Sequence, residues 1–246
     1  MKKVFFAMFV FAAALGLVAC NKEVVETEGA GYGLVHGHYV GEVNVTMKGD
    51  KITEMSIEEY FLPYNAGQLV AGENWATETP ENVVKALSKG KDVFYAKYFY
   101  INGVVYTANV DEKGAISYLN GTSNIEDEVK DSAKAQAYVE AVRANKVFVI
   151  DSATATTKST TLTVTGNAAT AMTKSESGYW SGTNYPLGWK GNMAEIVKAM
   201  IETGVDATYE QSLEGFWATE NYTSGATLAD FLDYQNVAKV AVKNAK

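Results

Sequence analysis

Cysteine is almost missing from this 246-residue chain: Cys20 is the only one. That excludes an internal disulfide and a thiolate metal site downstream of it. Proline is scarce too, with three, so few positions force a break in a strand or helix. The only two histidines, His36 and His38, flank Gly37. They are weak grounds for a metal site without further ligands, and hydrogen bonding at a strand edge is their other reading. Positive charge is in deficit, 21 Lys+Arg against 29 Asp+Glu for a net charge of −8. Loss of Lys2 and Lys3 with a cleaved leader takes −8 to −10. That balance argues against nucleic acid, or an anionic lipid surface, as the main partner. No Ser-His-Asp order, paired-carboxylate pattern or nucleotide-binding glycine loop stands out. A 47% hydrophobic and 12% aromatic composition nonetheless marks a chain that folds.

The one long apolar run, Val4 to Val18, follows Lys2 and Lys3 and is too short to span a bilayer comfortably. A positive start, a short apolar core and small residues at its end make a signal peptide. Its end, Leu17-Val18-Ala19-Cys20, resembles the lipobox of bacterial lipoproteins. The resemblance implies that residues 1–19 are removed and Cys20 carries lipid. The chain is then held at the cell membrane on the extracytoplasmic side through acyl chains rather than a helix. The polar, acidic stretch 20–30 is expected to be a tether. An ordinary signal peptide with a coincidental cysteine is the other reading.

Beyond the leader, Tyr39–Met47 and Ile52–Tyr60 alternate as strands do around the turn Lys48-Gly49-Asp50-Lys51, which predicts a β-hairpin. Pro80 at a helix start and Gly90 at its end predict a helix over Glu81–Ser88. Strands are expected at Val93–Tyr100, Val104–Val110, Val147–Ile150 and Thr160–Thr165. Helices are expected at Glu126–Ala144 and Leu228–Asn244. The fold class is α+β, antiparallel hairpins packed with helices. Trp75 and Trp189 are 114 apart, as are Gly90 and Gly204. Similar helix-forming residues lie between them. This suggests two related modules, 31–145 and 146–246; the alternative is one domain with helices that merely look alike.

The residues richest in chemistry are Asn221-Tyr222-Thr223-Ser224-Gly225-Ala226-Thr227, just before the last helix. A glycine-containing turn into a helix can offer free N–H groups to an anion. On this expectation Gly225 admits a phosphate to the main chain, Ala226 keeps the site open, and Thr227 supplies a hydroxyl. Here the chain resembles the FMN-binding domain family, whose flavinylation motif is an acidic residue, two variable residues, then Ser or Thr, Gly, Ala and Thr. Ser224, Gly225, Ala226 and Thr227 match; Asn221 replaces the usual Asp, keeping a polar side chain and losing its charge. Gly215-Phe216-Trp217 and the opening Gly37-His38-Tyr39-Val40-Gly41-Glu42 are similar to the same family.

The resemblance implies FMN joined to Thr227 by a phosphoester, installed outside the cytoplasm by a flavin transferase. It implies a membrane-anchored electron-transfer carrier, between a membrane donor and a terminal acceptor, rather than a stand-alone enzyme. Tyr179, Trp180, Trp189, Trp217 and Tyr222 are candidates to stack on the flavin, with ordinary core or surface packing as their other reading. The residues around Asn120–Asn124 lack the Gly-Ala-Thr ending, so the first module has no attachment site. Other readings remain: Thr227 as a simple helix cap, a lipoprotein that binds free flavin or another solute, or a flavin-dependent reductase of a small acceptor.

Overall fold

Ten residues of strand begin where a tether was expected to continue. In the structure, a computed structural model describing residues 25–181 and 187–246, β1 (Glu26–Val35) pairs with β2 (Tyr39–Lys48) and β2 with β3 (Lys51–Phe61), all antiparallel. The leader, Cys20 and the first residues after it lie outside the described residues. The expected hairpin is present, with Gly49 at positive φ in its turn. Residues 26–30, read as tether, are instead in the sheet. Gly29 and Gly31 look like linker residues, but a Cβ on either would run into the backbone of the last helix at Ala241 or Val237. Bare strand backbone is what lets that helix lie directly on the sheet.

A short helix, α1 (Pro63–Ala66), follows. The expected helix over Glu81–Ser88 is a strand, β4 (Val83–Ser88), paired with β5 (Lys91–Ala96). Lys89 and Gly90 both have positive φ between them. Gly90 is thus a hairpin residue rather than a helix stop. The expected strand Val93–Tyr100 divides after Ala96, and β6 (Tyr98–Ile101) enters a different sheet. That sheet also holds β7 (Val104–Val110), β8 (Ile116–Asn120), β9 (Ser123–Asn124) and β10 (Val147–Ile150), in the order β10-β6-β7-β8-β9.

The long helix expected at Glu126–Ala144 is two, α2 (Ile125–Glu128) and α3 (Ser132–Arg143). The Asp131 side chain accepts from the N–H groups of Ala133 and Lys134 and caps a fresh start. Thr160–Thr165 is not a strand; Val164 makes only an isolated bridge to Leu69.

The remainder comprises α4 (Lys174–Ser177), α5 (Gly188–Thr203), the small sheet of β11 (Glu210–Gln211), β12 (Trp217–Thr219) and β13 (Tyr222–Thr223), and α6 (Phe231–Ala245). Because 83–88 is a strand while Glu195–Glu202 is in α5, the 114-residue offset does not mark a repeated unit. Nor does the core break near residue 145. Val40, Phe61 and Tyr138 share one apolar cluster with Trp189, Ile196 and Tyr234. The fold is α+β, with α3 and α6 packed against the β1-β2-β3 sheet.

Strand alternation divides that sheet into two faces. Gly33, Gly41 and Glu59 are in register on one face, where Tyr234 of α6 donates to Glu59. Tyr32 and Glu42 are in register on the other, where Arg143 of α3 reaches Glu42.

Candidate functional site

The Ser224–Thr227 turn lies between β13 and α6, and its N–H groups are largely occupied. Gly225 N donates to Glu195 Oε2 at 3.2 Å, Ala226 N to Ser224 Oγ at 3.0 Å, and Thr227 N to Asn192 Oδ1 at 2.8 Å. Ser224 and Ala226 are buried, whereas Thr227 is exposed. Thr227 Oγ1 donates to the same Asn192 oxygen at 3.3 Å. The turn is therefore pinned to α5, and the one side chain of the tetrapeptide offered to solvent is the threonine hydroxyl. Asn221 sits exposed in the turn between β12 and β13.

Three sequence expectations change here. The helix starts at Phe231, not beside Thr227, so Thr227 is not its cap; Asp230 occupies the N-cap position. Asp230 and Asp233 put carboxylates at that helix start, which disfavours an anion at the α6 dipole. The space beside Gly225 is filled by the Glu195 carboxyl, 2.8 Å from where a Cβ would stand, so Gly225 makes room for Glu195. Ala226 is core rather than an opening, at 0% exposure.

A cavity of about 490 Å³ lies next to this turn, lined by Leu228, Trp189, Tyr179, Trp180, Tyr234, Lys174, His36 and Asn167. Leu228 follows Thr227 directly, and Trp189 lies about one turn before Asn192 on α5. Of the aromatic candidates, Tyr179, Trp180 and Trp189 line this cavity. Trp217 instead stacks on Phe231 and donates to the Leu228 carbonyl at 2.7 Å, steadying the segment after Thr227. Tyr222 lies in β13, whose partner is β12. The size and the mix of aromatic walls with few polar groups fit a small organic ligand.

Behind the cavity is a buried charge pair that sequence reading missed. Lys174 Nζ is 2.6 Å from Glu59 Oε2, an ion-pair contact off the line of a good hydrogen bond. Glu59 Oε1 accepts from Trp189 Nε1 at 2.5 Å and from Tyr234 OH at 2.8 Å. The ammonium also sits over the rings of Tyr39, 3.5 Å from the centroid, and Tyr179, 4.4 Å. Burial pulls the Lys174 ammonium below its usual range, opposed by the charge of Glu59. Burial, then the neighbouring Glu59 charge, pushes the Tyr234 hydroxyl well above its own. A signal for Glu59 was present: Ile57, Glu59 and Phe61 alternate on one face, which puts a carboxylate at an inward position. Nothing in Met172-Thr173-Lys174 marks the lysine.

His36 and His38 part company. His36 lines the cavity and hydrogen-bonds Asp230 through Nδ1, while its N–H donates to Asp233. His38 stacks on Tyr64 at 3.9 Å between centroids. No protein-family model, curated protein or solved structure matches this chain.

Proposed function

We propose that this protein is a lipid-anchored, extracytoplasmic flavoprotein that carries FMN on Thr227 and relays electrons. The observation that carries the reading is an exposed Thr227, its hydroxyl pinned to Asn192, one residue before Leu228 in the wall of an aromatic-lined cavity of about 490 Å³. The resemblance of Ser224–Thr227 to a flavinylation motif and of Leu17–Cys20 to a lipobox supplies the chemistry at either end. The donor set suits the group in part. Tyr179, Trp180 and Trp189 offer ring faces, and Lys174 offers positive charge. Glu195, by contrast, already holds the Gly225 N–H. A phosphate on Thr227 would therefore not receive the Gly225 N–H while Glu195 holds it.

Each residue has a distinct task on this reading. Thr227 Oγ1 is the oxygen that a flavin transferase would join to the FMN phosphorus, taking the group from a flavin dinucleotide whose phosphoanhydride bond breaks to release a nucleoside monophosphate, with the hydroxyl proton passing to solvent. Asn192 holds that hydroxyl and the Thr227 N–H together, fixing the side chain before attachment. The aromatic walls exclude water from the ring and hold its plane. FMN, when bound, supplies one- and two-electron exchange. Cys20 keeps the carrier near a membrane donor, and the terminal acceptor completes the relay. No helix among the described residues is long and apolar enough to cross a membrane; acyl chains on Cys20 would anchor the chain without one.

The test is in-gel flavin fluorescence after denaturation, with intact mass, on protein exported alongside a flavin transferase. Wild type is expected to fluoresce and to carry FMN and lipid mass. Thr227→Ala loses the flavin alone, and Cys20→Ser loses the lipid alone. Equal fluorescence in Thr227→Ala sinks the attachment site. Flavin that washes out on denaturation favours a binder of free flavin, and turnover with one soluble acceptor favours a reductase.

A further inference from the structure

From the way Lys174 is held between Glu59 and the aromatic cavity, we infer that it is a tuning residue that makes the pocket favour the reduced, anionic form of a flavin ring. This rests on the cavity being the flavin site, and it does not depend on attachment at Thr227. Lys174 lines the cavity, whereas Glu59 is fully buried behind it. The pair is therefore an oriented dipole whose positive end meets the ligand. Two further donors, Trp189 and Tyr234, share the Glu59 charge. With only 3% of Lys174 exposed, little water screens its field.

The chemistry that such a field selects is specific. An oxidised flavin ring is neutral. Two electrons from a reductant (dithionite in the assay, a membrane donor in the proposed relay) and one proton from solvent convert it to a mono-anion. A fixed cation lowers the free energy of that anion and leaves the neutral ring nearly unaffected, so it raises the two-electron potential. An uncharged wall of the same shape would bind both forms alike.

The probe is riboflavin, which has no phosphate, titrated into full-length protein made without a flavin transferase. Binding is read by fluorescence quenching for the oxidised form and by anaerobic titration for the dithionite-reduced form. Wild type is expected to bind the reduced form at least ~10-fold tighter than the oxidised form, which is about 30 mV for a two-electron couple. Lys174→Met strips the charge. Lys174→Met with Glu59→Gln does so without leaving a lone buried carboxylate, and so serves if the single variant does not fold. Both should lose that preference, read as the ratio of the reduced-form to the oxidised-form affinity within each variant.

A wild type with no preference overturns the inference, whatever the variants do. So does a preference that persists in the double variant. Absence of riboflavin binding in wild type removes this inference and the cavity assignment together. Preference intact with no FMN ever found on Thr227 leaves the inference standing and removes the covalent attachment alone.

Discussion

Glu42 and Glu59 lie on neighbouring strands of one sheet, point to opposite faces, and are both buried, at 3% and 0% exposure. Their cations differ. Arg143 binds Glu42 through one nitrogen, at 2.8 and 2.6 Å, and its own side chain is 52% exposed. Tyr32 and Tyr60 complete the set of donors around that carboxylate. Lys174 is as buried as its partner, and aromatic rings take the place of water around it. The Arg143 face is a clamp that ties α3 to β2 and leaves part of its charge in solvent. The Lys174 face keeps a compact charge dry, an arrangement that a well-packed apolar pair would often match or better in stability. A costly charge at a cavity wall is a reason to look there for chemistry.

Alkali should strike both faces at once and gives the largest effect. Tyr118, Tyr138 and Tyr234 have their hydroxyls pushed well above the usual value, chiefly by burial. A raised folded value means that the stability these groups contribute is intact below about pH 10, where the unfolded tyrosine is still protonated. It is lost as pH rises through the folded value, because the unfolded chain gives up protons that the folded one keeps. Three such groups imply a loss of roughly 4 kcal/mol per pH unit above about pH 10. Chemical denaturation at pH 8, 10 and 11 measures this. A midpoint that does not move between pH 8 and 11 contradicts it. Lys174, with its value pulled down, has the opposite sign between its folded value and its usual 10.5. Its contribution rises there with pH and is outweighed above pH 10.

Single substitutions separate the faces. Lys174→Met leaves Glu59 buried without its cation and should cost about 3–5 kcal/mol. Arg143→Met leaves Glu42 with two tyrosine donors on a half-exposed pair and should cost about 1–2 kcal/mol. Urea unfolding of the two variants decides it, and equal losses erase the distinction between clamp and dry charge. The same contrast recurs one residue apart on β1. A Cβ on Gly31 meets the Val237 carbonyl oxygen of α6, so Gly31→Ala should cost about 1–3 kcal/mol through overpacking. Tyr32→Phe on the other face removes one 3.2 Å hydrogen bond to Glu42 and should cost about 1 kcal/mol. The reverse order would show that α6 tolerates displacement.

What the sequence disclosed followed from local physics. The β2–β3 hairpin was legible because alternation and a Lys-Gly-Asp-Lys turn act within a few residues. Positions 81–88 misled because Val83, Val84, Ala86 and Leu87 fit either period, and the choice was made by pairing with β5. Gly29 and Gly31 misled because a glycine reads alike in a linker and under a helix 200 residues away. Of the residues named from sequence, Thr227 lies exposed in the turn and three of the five aromatics line the cavity. Asn192, Glu195, Lys174 and Tyr234 were not named, since each gains its place from a contact more than twenty-five residues distant in the chain.

The smallest effect belongs to the turn itself. Gly225 does not require a positive φ, and the atoms that a new Cβ would meet are the carboxyl end of Glu195, a flexible group that can swing aside. Gly225→Ala therefore gives up one hydrogen bond, worth about 1 kcal/mol. It regains a similar amount by restricting the unfolded chain. Its net change should stay within about 1 kcal/mol, a shift of no more than about 4 °C in melting temperature. Displacing Glu195 also takes a carboxylate away from Gly225, two residues before the proposed phosphate acceptor, so covalent flavin should hold steady or rise in this variant. A glycine needed for phosphate to approach the main chain would give the opposite result, a folded protein with less flavin. Melting temperature and in-gel fluorescence on one preparation tell the two roles of Gly225 apart.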